Sequence, residues 1–253
     1  MLFSPVPQIS NIVQLLGAMM SPYTRRSIFK IIGAASLLSI FDSKILLAAS
    51  DSPPIPANVM NSEAALKRLM DGNKRYASGK SNLRNFSQTR AALTKGQNPF
   101  ASILSCADSR VSPELCFDEG RGDLFVNRLA GNYVSPDILA SIEYGAAVLN
   151  APIIMVLGHT ECGAVKAAIK ADNDNTEFPG HIQIITTSLR QAVKAGQQDG
   201  GDLLTASTLE NIRINVAMLK DSTPLLIKLV EEKKLIVVGG LYHLDTGTVE
   251  MVA

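Results

Sequence analysis

The sequence predicts an α/β protein built on a mainly parallel sheet of four to five strands flanked by helices, with an N-terminal helical arm. Two observations indicate this class. Short apolar runs such as "FASILSCA" and "APIIMVLGHT" have the length and continuity of strands buried on both faces. Helical segments separate these runs, and alternation of strands with helices is typical of a parallel sheet.

The elements follow one another from residue 62 to residue 252. "NSEAALKRLMDGNKRYASGK" predicts a helix with Asn61 or Ser62 as N-cap and a stop at Gly79. After strands in "FASILSCA" and "DLFVNRLAGNYV", Ser135 caps a helix with Pro136 at its first position. The strand "APIIMVLGHT" and the helix opened by "CGAVKAAIK" come next, with further helices over roughly 181–196 and 205–220. The C-terminal segment predicts a helix, a buried strand, a turn and an edge strand.

Composition narrows the range of functions. The 253 residues are 46% hydrophobic and 19% charged, with a net charge of +1, which gives no reason to expect nucleic acid or an anionic membrane as partner. The chain has no tryptophan and only 5% aromatic residues, so a stacking platform for bases or sugars is not expected. The balance is that of an ordinary globular protein.

Residues 1–49 predict an export signal rather than a part of the fold. Arg25 and Arg26 precede a weakly apolar stretch, residues 31–41, which is too short to span a bilayer, and cleavage is expected near Ala49. The order Thr-Arg-Arg-Ser-Ile-Phe-Lys resembles a twin-arginine signal, which implies that export machinery reads residues 24–49.

We therefore expect an exported, periplasmic protein, with an uncleaved N-terminal anchor or an amphipathic helix as the alternatives. Prolines in residues 50–61 indicate an extended linker, and the folded domain covers residues 62–253, including a helical arm over 62–96.

Two predicted strand ends carry metal-binding side chains. Cys106 follows the first strand, and His159 and Cys162 lie three residues apart where a later strand gives way to a helix. A parallel sheet brings such ends together, and zinc takes thiolate and imidazole ligands. Three protein ligands leave a fourth position open, as in a catalytic zinc site.

Other interpretations of the cysteines stay open at this point. A redox pair is one, although the chain lacks the CxxC spacing of such motifs. Cys116, the third cysteine, is expected to be a buried thiol rather than a ligand.

Asp108 and Arg110 follow Cys106 within four residues. Alone, Asp-Ser-Arg would predict a helix N-cap with a surface ion pair. Beside a metal site, an arginine can hold the aspartate by a charge-assisted pair, keep it ionised and turn it from the metal. Asp108 then becomes the candidate that accepts a proton from zinc-bound hydroxide and orients it.

"CADSR" followed by "HTEC" and a glycine resembles the β-class carbonic anhydrases, whose motifs are Cys-x-Asp-x-Arg and His-x-x-Cys-Gly. The likeness runs from about residue 62 to residue 252. It implies that Cys106, His159 and Cys162 bind Zn²⁺ and that Asp108 and Arg110 form the family's dyad. The implied reaction is reversible hydration of carbon dioxide to bicarbonate and a proton.

The resemblance also assigns residues to substrate. Gln97, nine residues before Cys106, matches a glutamine that helps to orient substrate, and the backbone N–H of Gly163 would face the same pocket. "FVNRLAGN", residues 125–132, resembles a segment near the dimer interface, with Phe125 as a candidate for the apolar wall. Ile103 stands where a bicarbonate-regulated subgroup has tryptophan, which indicates the unregulated subgroup.

Alternatives to carbon dioxide hydration are hydrolysis of carbon disulfide or carbonyl sulfide at the same zinc, a catalytically silent zinc protein, and a thiol redox protein. The Asp108–Arg110 pair argues against the silent protein, since structural zinc needs no oriented base. His181 and His243 are both candidates for a proton shuttle by chemistry and neither by motif. The family's arm wraps around a neighbouring subunit, so we expect a homodimer or a higher homo-oligomer.

Overall fold

Five strands form one sheet in the computed structural model, which describes residues 58–253. The sheet order is β2-β1-β3-β4-β5. The first four strands are parallel, and β5 pairs antiparallel with β4 at the edge. This confirms the predicted sheet; its strands are β1 (Ala101–Ser105), β2 (Leu124–Arg128), β3 (Ile153–His159), β4 (Ile236–Tyr242) and β5 (Val249–Met251). The predicted export signal and most of the predicted linker lie outside the described residues.

Eight α-helices accompany the sheet within residues 58–253: α1 (Ser62–Ala77), α2 (Phe86–Leu93), α3 (Pro113–Cys116), α4 (Pro136–Glu143), α5 (Gly163–Asp174), α6 (Ile182–Gly196), α7 (Leu203–Lys220) and α8 (Leu226–Glu231). Asn61, not Ser62, is the N-cap of α1, since its Oδ1 accepts a hydrogen bond from the N–H of Ala64. A π-helical turn, Tyr144–Val148, continues α4. None of these helices is both long and apolar enough to cross a membrane.

The central strand β3 is buried along its whole length, between β1 and β4. One apolar layer lies between the sheet and α1 and α3, with Leu69 and Phe117 fully buried in it. The other layer lies against α7 and α8, with Ile212 and Leu226 fully buried. Burial on both faces explains why β3 is apolar at nearly every position.

The strand order reverses at β1. The chain runs from β1 outward to β2 and returns to the other side of β1 as β3. In open parallel sheets, the loops that leave the carboxyl ends of the two strands at such a switch point diverge and leave a crevice. The segments beginning at Cys106 and at Thr160 leave β1 and β3 at this point, so the fold itself selects this edge for a site.

The first helix of the predicted arm, α1, packs against the sheet of its own chain. Ala65 and Leu69 of α1 are fully buried against the sheet. The Asn73 side chain donates to the carbonyl oxygens of Cys116 (2.9 Å) and Gly247 (2.8 Å). Within the predicted arm, α1 therefore belongs to the core of its own chain, because its apolar stripe completes one core layer. In α2, by contrast, only Ala92 is buried.

Candidate metal centre and active site

The structure brings the three predicted ligands together. β1 and β3 pair in parallel with Ser105 opposite Leu157, so Cys106 lies near His159, the last residue of β3. Cys162 is the N-cap of α5. The ligand atoms of all three residues lie within 4.8 Å of one another, and the two sulfurs are 4.0 Å apart. Two thiols and an imidazole, all buried, form a donor set that suits zinc.

His159 is prepared for a metal by its own backbone. Its Nδ1 lies 2.8 Å from the carbonyl oxygen of Thr160, and the Nδ1–H donates there. This tautomer leaves the lone pair on Nε2 for a metal. The Nε2 atom is buried and has no hydrogen-bond partner among the described residues. Because a buried polar atom without a partner is costly, the nitrogen fits a bound ion better than an empty site.

The surroundings of the two sulfurs favour negative charge at Cys106. A hydrogen bond from the Cys162 thiol is the main cause that lowers the pKa of Cys106; burial opposes it, and the backbone N–H of Gly131 lowers the pKa further. The hydrogen bond with Cys106 and burial raise the pKa of Cys162. A divalent cation between the sulfurs would favour the thiolate form of both.

A tight turn sets the spacing of His159 and Cys162. Glu161, between them, has φ of +59°, in the left-handed region that residues other than glycine seldom adopt. The turn ends directly at the start of α5, so both side chains reach the same point from three residues apart. The Glu161 carbonyl oxygen also accepts a hydrogen bond from Arg110 Nη2 at 3.3 Å, which links the turn to the aspartate–arginine pair.

Asp108 and Arg110 form a bidentate ion pair beside the ligands. Oδ1 of Asp108 accepts from the Arg110 backbone N–H (3.0 Å) and Nε (2.9 Å), and Oδ2 accepts from Nη2 (2.7 Å). These hydrogen bonds from Arg110 hold the pKa of Asp108 well below its usual range. Asp108 Oδ2 lies 3.9 Å from His159 Nε2. The structure thus places an ionised carboxylate at the edge of the metal site, already engaged by a guanidinium.

Gly163 lies beside the three predicted ligands. Gly163 is the first residue of α5, where a helix leaves its N–H groups without internal partners. A Cβ placed on Gly163 would meet nothing within 4 Å, so the space beside it is open.

The other two residues that the resemblance assigns to substrate, Gln97 and Phe125, lie away from the predicted ligands of their own chain. Gln97 is exposed and precedes β1, at the end of the strand opposite Cys106. Phe125 pairs with Ser102, four residues before Cys106, or about 13 Å along the strand. Its ring packs near Tyr144, with centroids 6.1 Å apart. Neither side chain therefore reaches the metal ligands of its own chain.

Two residues of the site carry no role in the sequence-based prediction. Arg128 donates from Nε to the Cys106 carbonyl oxygen (3.2 Å) and from Nη2 to that of Asp108 (2.8 Å). Gly131 donates its N–H to Cys106 Sγ at 3.3 Å. Both belong to "FVNRLAGN", which resemblance assigns only to the interface region. The signal that could have found Arg128 is its position at the carboxyl end of β2, the strand that pairs with β1.

Three further residues named in the sequence analysis, Cys116, His181 and His243, lie outside the group of predicted ligands. Cys116 is buried, as expected for a structural thiol, and is not part of the ligand group. His181 is exposed before α6. His243 is half-buried in the turn after β4, with Nε2 3.2 Å from Glu250 Oε2.

Fold and site together define an α/β protein with a Cys-His-Cys group that could hold a metal ion at the switch point of a parallel sheet. The carbonic anhydrase family model matches residues 101–249. Carbonic anhydrase 2 of Mycobacterium tuberculosis is 39% identical over 188 residues, which are 74% of this chain and 91% of that protein. The carbonic anhydrase of Mycolicibacterium smegmatis is 35% identical over 192 residues, 76% of this chain and 93% of that protein.

A solved structure agrees with these relatives. The Coccomyxa β-carbonic anhydrase, in complex with acetazolamide, superposes with a TM-score of 0.57 at 27% identity, covering 74% of this chain and 86% of that one. The chain therefore belongs to the carbonic anhydrase family, in its β class, and is a carbonic anhydrase enzyme.

Removing a ligand atom should remove the metal. We expect protein purified with zinc and dialysed to keep one zinc ion per chain, and Cys106→Ser and His159→Gln to keep much less, because each loses one of three donors. Zinc content by atomic absorption measures this. Cys116→Ser is the matched control, a buried cysteine outside the group, and should retain zinc. Equal zinc in the Cys106→Ser variant and the parent would place the metal elsewhere.

Proposed function

We propose that this chain hydrates carbon dioxide reversibly to bicarbonate and a proton, with Zn²⁺ held by Cys106, His159 and Cys162. The observation that carries the proposal is the buried His159 Nε2, which has no hydrogen-bond partner within residues 58–253 and lies with two thiols inside 4.8 Å and beside a carboxylate that is already paired. Zinc, when bound, lowers the pKa of a water molecule to about 7 and so supplies a nucleophile at neutral pH.

Asp108 serves this chemistry as an oriented hydrogen-bond acceptor. A carboxylate accepts through both oxygens only while it is ionised, and the hydrogen bonds from Arg110 keep the pKa of Asp108 far below neutral. The same bonds fix the direction of the carboxylate. Its unused lone pairs can then accept a hydrogen bond from the attacking oxygen and so turn a lone pair of that oxygen toward the carbon atom, while the proton stays on the oxygen.

Arg110 also keeps the fourth ligand position open. A free aspartate this close to three metal ligands would itself be a good ligand. Because Asp108 forms two side-chain hydrogen bonds with Arg110, binding a metal would cost it those bonds. Three protein ligands and a restrained carboxylate would therefore leave the fourth position on the metal free for a reactant.

Gly163 supports the oxygen of the substrate. At the first position of α5, its N–H points out of a helix end that carries a partial positive charge. Such donors stabilise the negative charge that develops as carbon dioxide becomes bicarbonate. The open space beside the glycine leaves room for that oxygen.

Gln97 and Phe125 can take part only across a subunit boundary. Both lie away from the metal ligands of their own chain, at the other end of β1 and along β2. Their assignment to substrate therefore requires a homo-oligomer in which the neighbouring subunit supplies them. We propose a homodimer as the smallest active assembly.

The role of Asp108 has a direct kinetic test. We expect Asp108→Asn, at zinc content matched to the parent, to hydrate carbon dioxide at least about 100-fold more slowly, because the NH₂ group of the amide can neither accept from Arg110 nor accept the hydrogen bond that orients the attacking oxygen. Stopped-flow hydration with a pH indicator measures the rate. Asp137→Asn, an exposed aspartate of α4, is the control and should match the parent. A parent rate equal to buffer would end the proposal and make carbon disulfide the next substrate.

Mixing two inactive variants tests the shared site. In a mixed dimer of Gln97→Ala and Asp108→Asn chains, one of the two sites has both natural residues if Gln97 comes from the partner. We expect co-refolded mixtures to recover activity that neither variant has alone, up to about a quarter of the parent for random pairing with one intact site per mixed dimer. Mixtures that stay as slow as the average of the separate variants would place Gln97 within its own chain's site or outside both.

We also propose export to the periplasm through residues 24–49, on the basis of Arg25 and Arg26 ahead of an apolar stretch. Changing both arginines to lysine should keep the protein in the cytoplasm, because the twin-arginine pathway reads the pair as an address. Immunoblots of periplasmic and cytoplasmic fractions measure the distribution. Lys30→Arg is the control and should be exported. Equal export of the double variant and the parent would rule out this route.

A further inference from the structure

Two buried asparagines lie one turn apart on α7. Asn211 and Asn215 are each 3% exposed, and each is followed along the helix by a buried apolar residue, Ile212 and Val216. A primary amide in such a place is costly unless its donors and acceptor are paired. Both side chains are hydrogen-bonded.

The partners form a chain that ends on the metal-site loop. The N–H of Val134 donates to Asn215 Oδ1 (2.7 Å), and Asn215 Nδ2 donates to Asn211 Oδ1 (2.9 Å). Asn211 Nδ2 then donates to the carbonyl oxygen of Gly131 (2.8 Å). Since Asn211 Oδ1 is occupied by Asn215, its amide can present only its NH₂ group to Gly131. The donor direction along the chain is thereby fixed.

Gly131 transmits this restraint to a ligand. Its φ of +85° requires glycine, and its N–H donates to Cys106 Sγ at 3.3 Å. A Cβ at this position would lie 2.9 Å from Leu189 Cδ1 and 3.2 Å from Ala164 Cβ, so α5 and α6 close around the backbone. With the carbonyl on one side of the Cα held by Asn211, the N–H on the other side is held on the sulfur.

We propose that Asn211, oriented by Asn215, is a positioning residue that aims the Gly131 N–H at the Cys106 thiolate and so tunes the metal centre. The inference rests on the proposed metal function. An N–H donor withdraws electron density from a coordinating sulfur, which makes the ion a stronger Lewis acid, and donors next to ligands are known to affect metal affinity as well. Asn211 touches neither metal nor substrate and acts through Gly131.

Cobalt(II) bound in place of zinc reports this hydrogen bond. The energy of the thiolate-to-cobalt charge-transfer band depends on the electron density of the sulfur. We expect Asn211→Ala to shift the band to longer wavelength, because a sulfur without its N–H donor gives up an electron more easily. Zinc affinity, from competition with a chelator, should fall by about 10- to 100-fold.

Ser207→Ala is the matched control. Ser207 is fully buried on the same helix, one turn before Asn211, and its Oγ has no hydrogen-bond partner among the described residues. Its band and zinc affinity should match those of the parent. A purely structural role for Asn211 would lower the melting temperature and leave the band of the folded variant in place, and that result would overturn the inference.

A second variant covers the case in which Asn211→Ala does not fold. Asn215→Ala leaves Asn211 in place but removes the group that orients it, and should shift the band in the same direction by a smaller amount. An unchanged band there would likewise overturn the inference. A parent that binds no cobalt would instead defeat the proposed metal function, so the two failures are distinguishable.

Discussion

The parallel pairing of β1 with β3 is the interaction on which the rest of the site depends. Cys106 follows one strand and His159 ends the other, and only the side-by-side register of Ser105 and Leu157 brings their side chains to one point. Full burial of β3 on both faces stabilises this register, because a slip by one residue would move its side chains out of the core layer that is packed around each of them. The core thus determines the ligand geometry before any ligand is considered.

Electrostatic balance is the second condition. The site collects two sulfurs and a carboxylate, and each of them has a donor within reach that can stabilise a negative charge: Gly131 for Cys106, the start of α5 for Cys162, and Arg110 for Asp108. Uncompensated, such groups would take up protons rather than remain charged in a buried place. The donors come from three separate segments, so the balance exists only in the folded chain.

Much of the centre could be predicted because it is local. Cys106, Asp108 and Arg110 lie within five residues, and His159 and Cys162 within four, so strand-end patterns and spacing find them. Gln97 and Phe125 match the family by position alone, and the sequence does not indicate whether such a side chain serves the site of its own chain or that of a neighbour. Asn211 was out of reach because its partner Gly131 is 80 residues away and its role arises only from packing.

The separation of the ligands along the chain has a mechanical consequence. Cys106 and Cys162 are 56 residues apart and belong to segments that leave different strands. An ion held by both would close a loop of that length, and a cross-link of this kind removes conformational entropy from the unfolded chain in the way a disulfide does. The metal would then cross-link two central strands of the sheet. The free energy of unfolding and the fraction of chains that hold the metal would rise together.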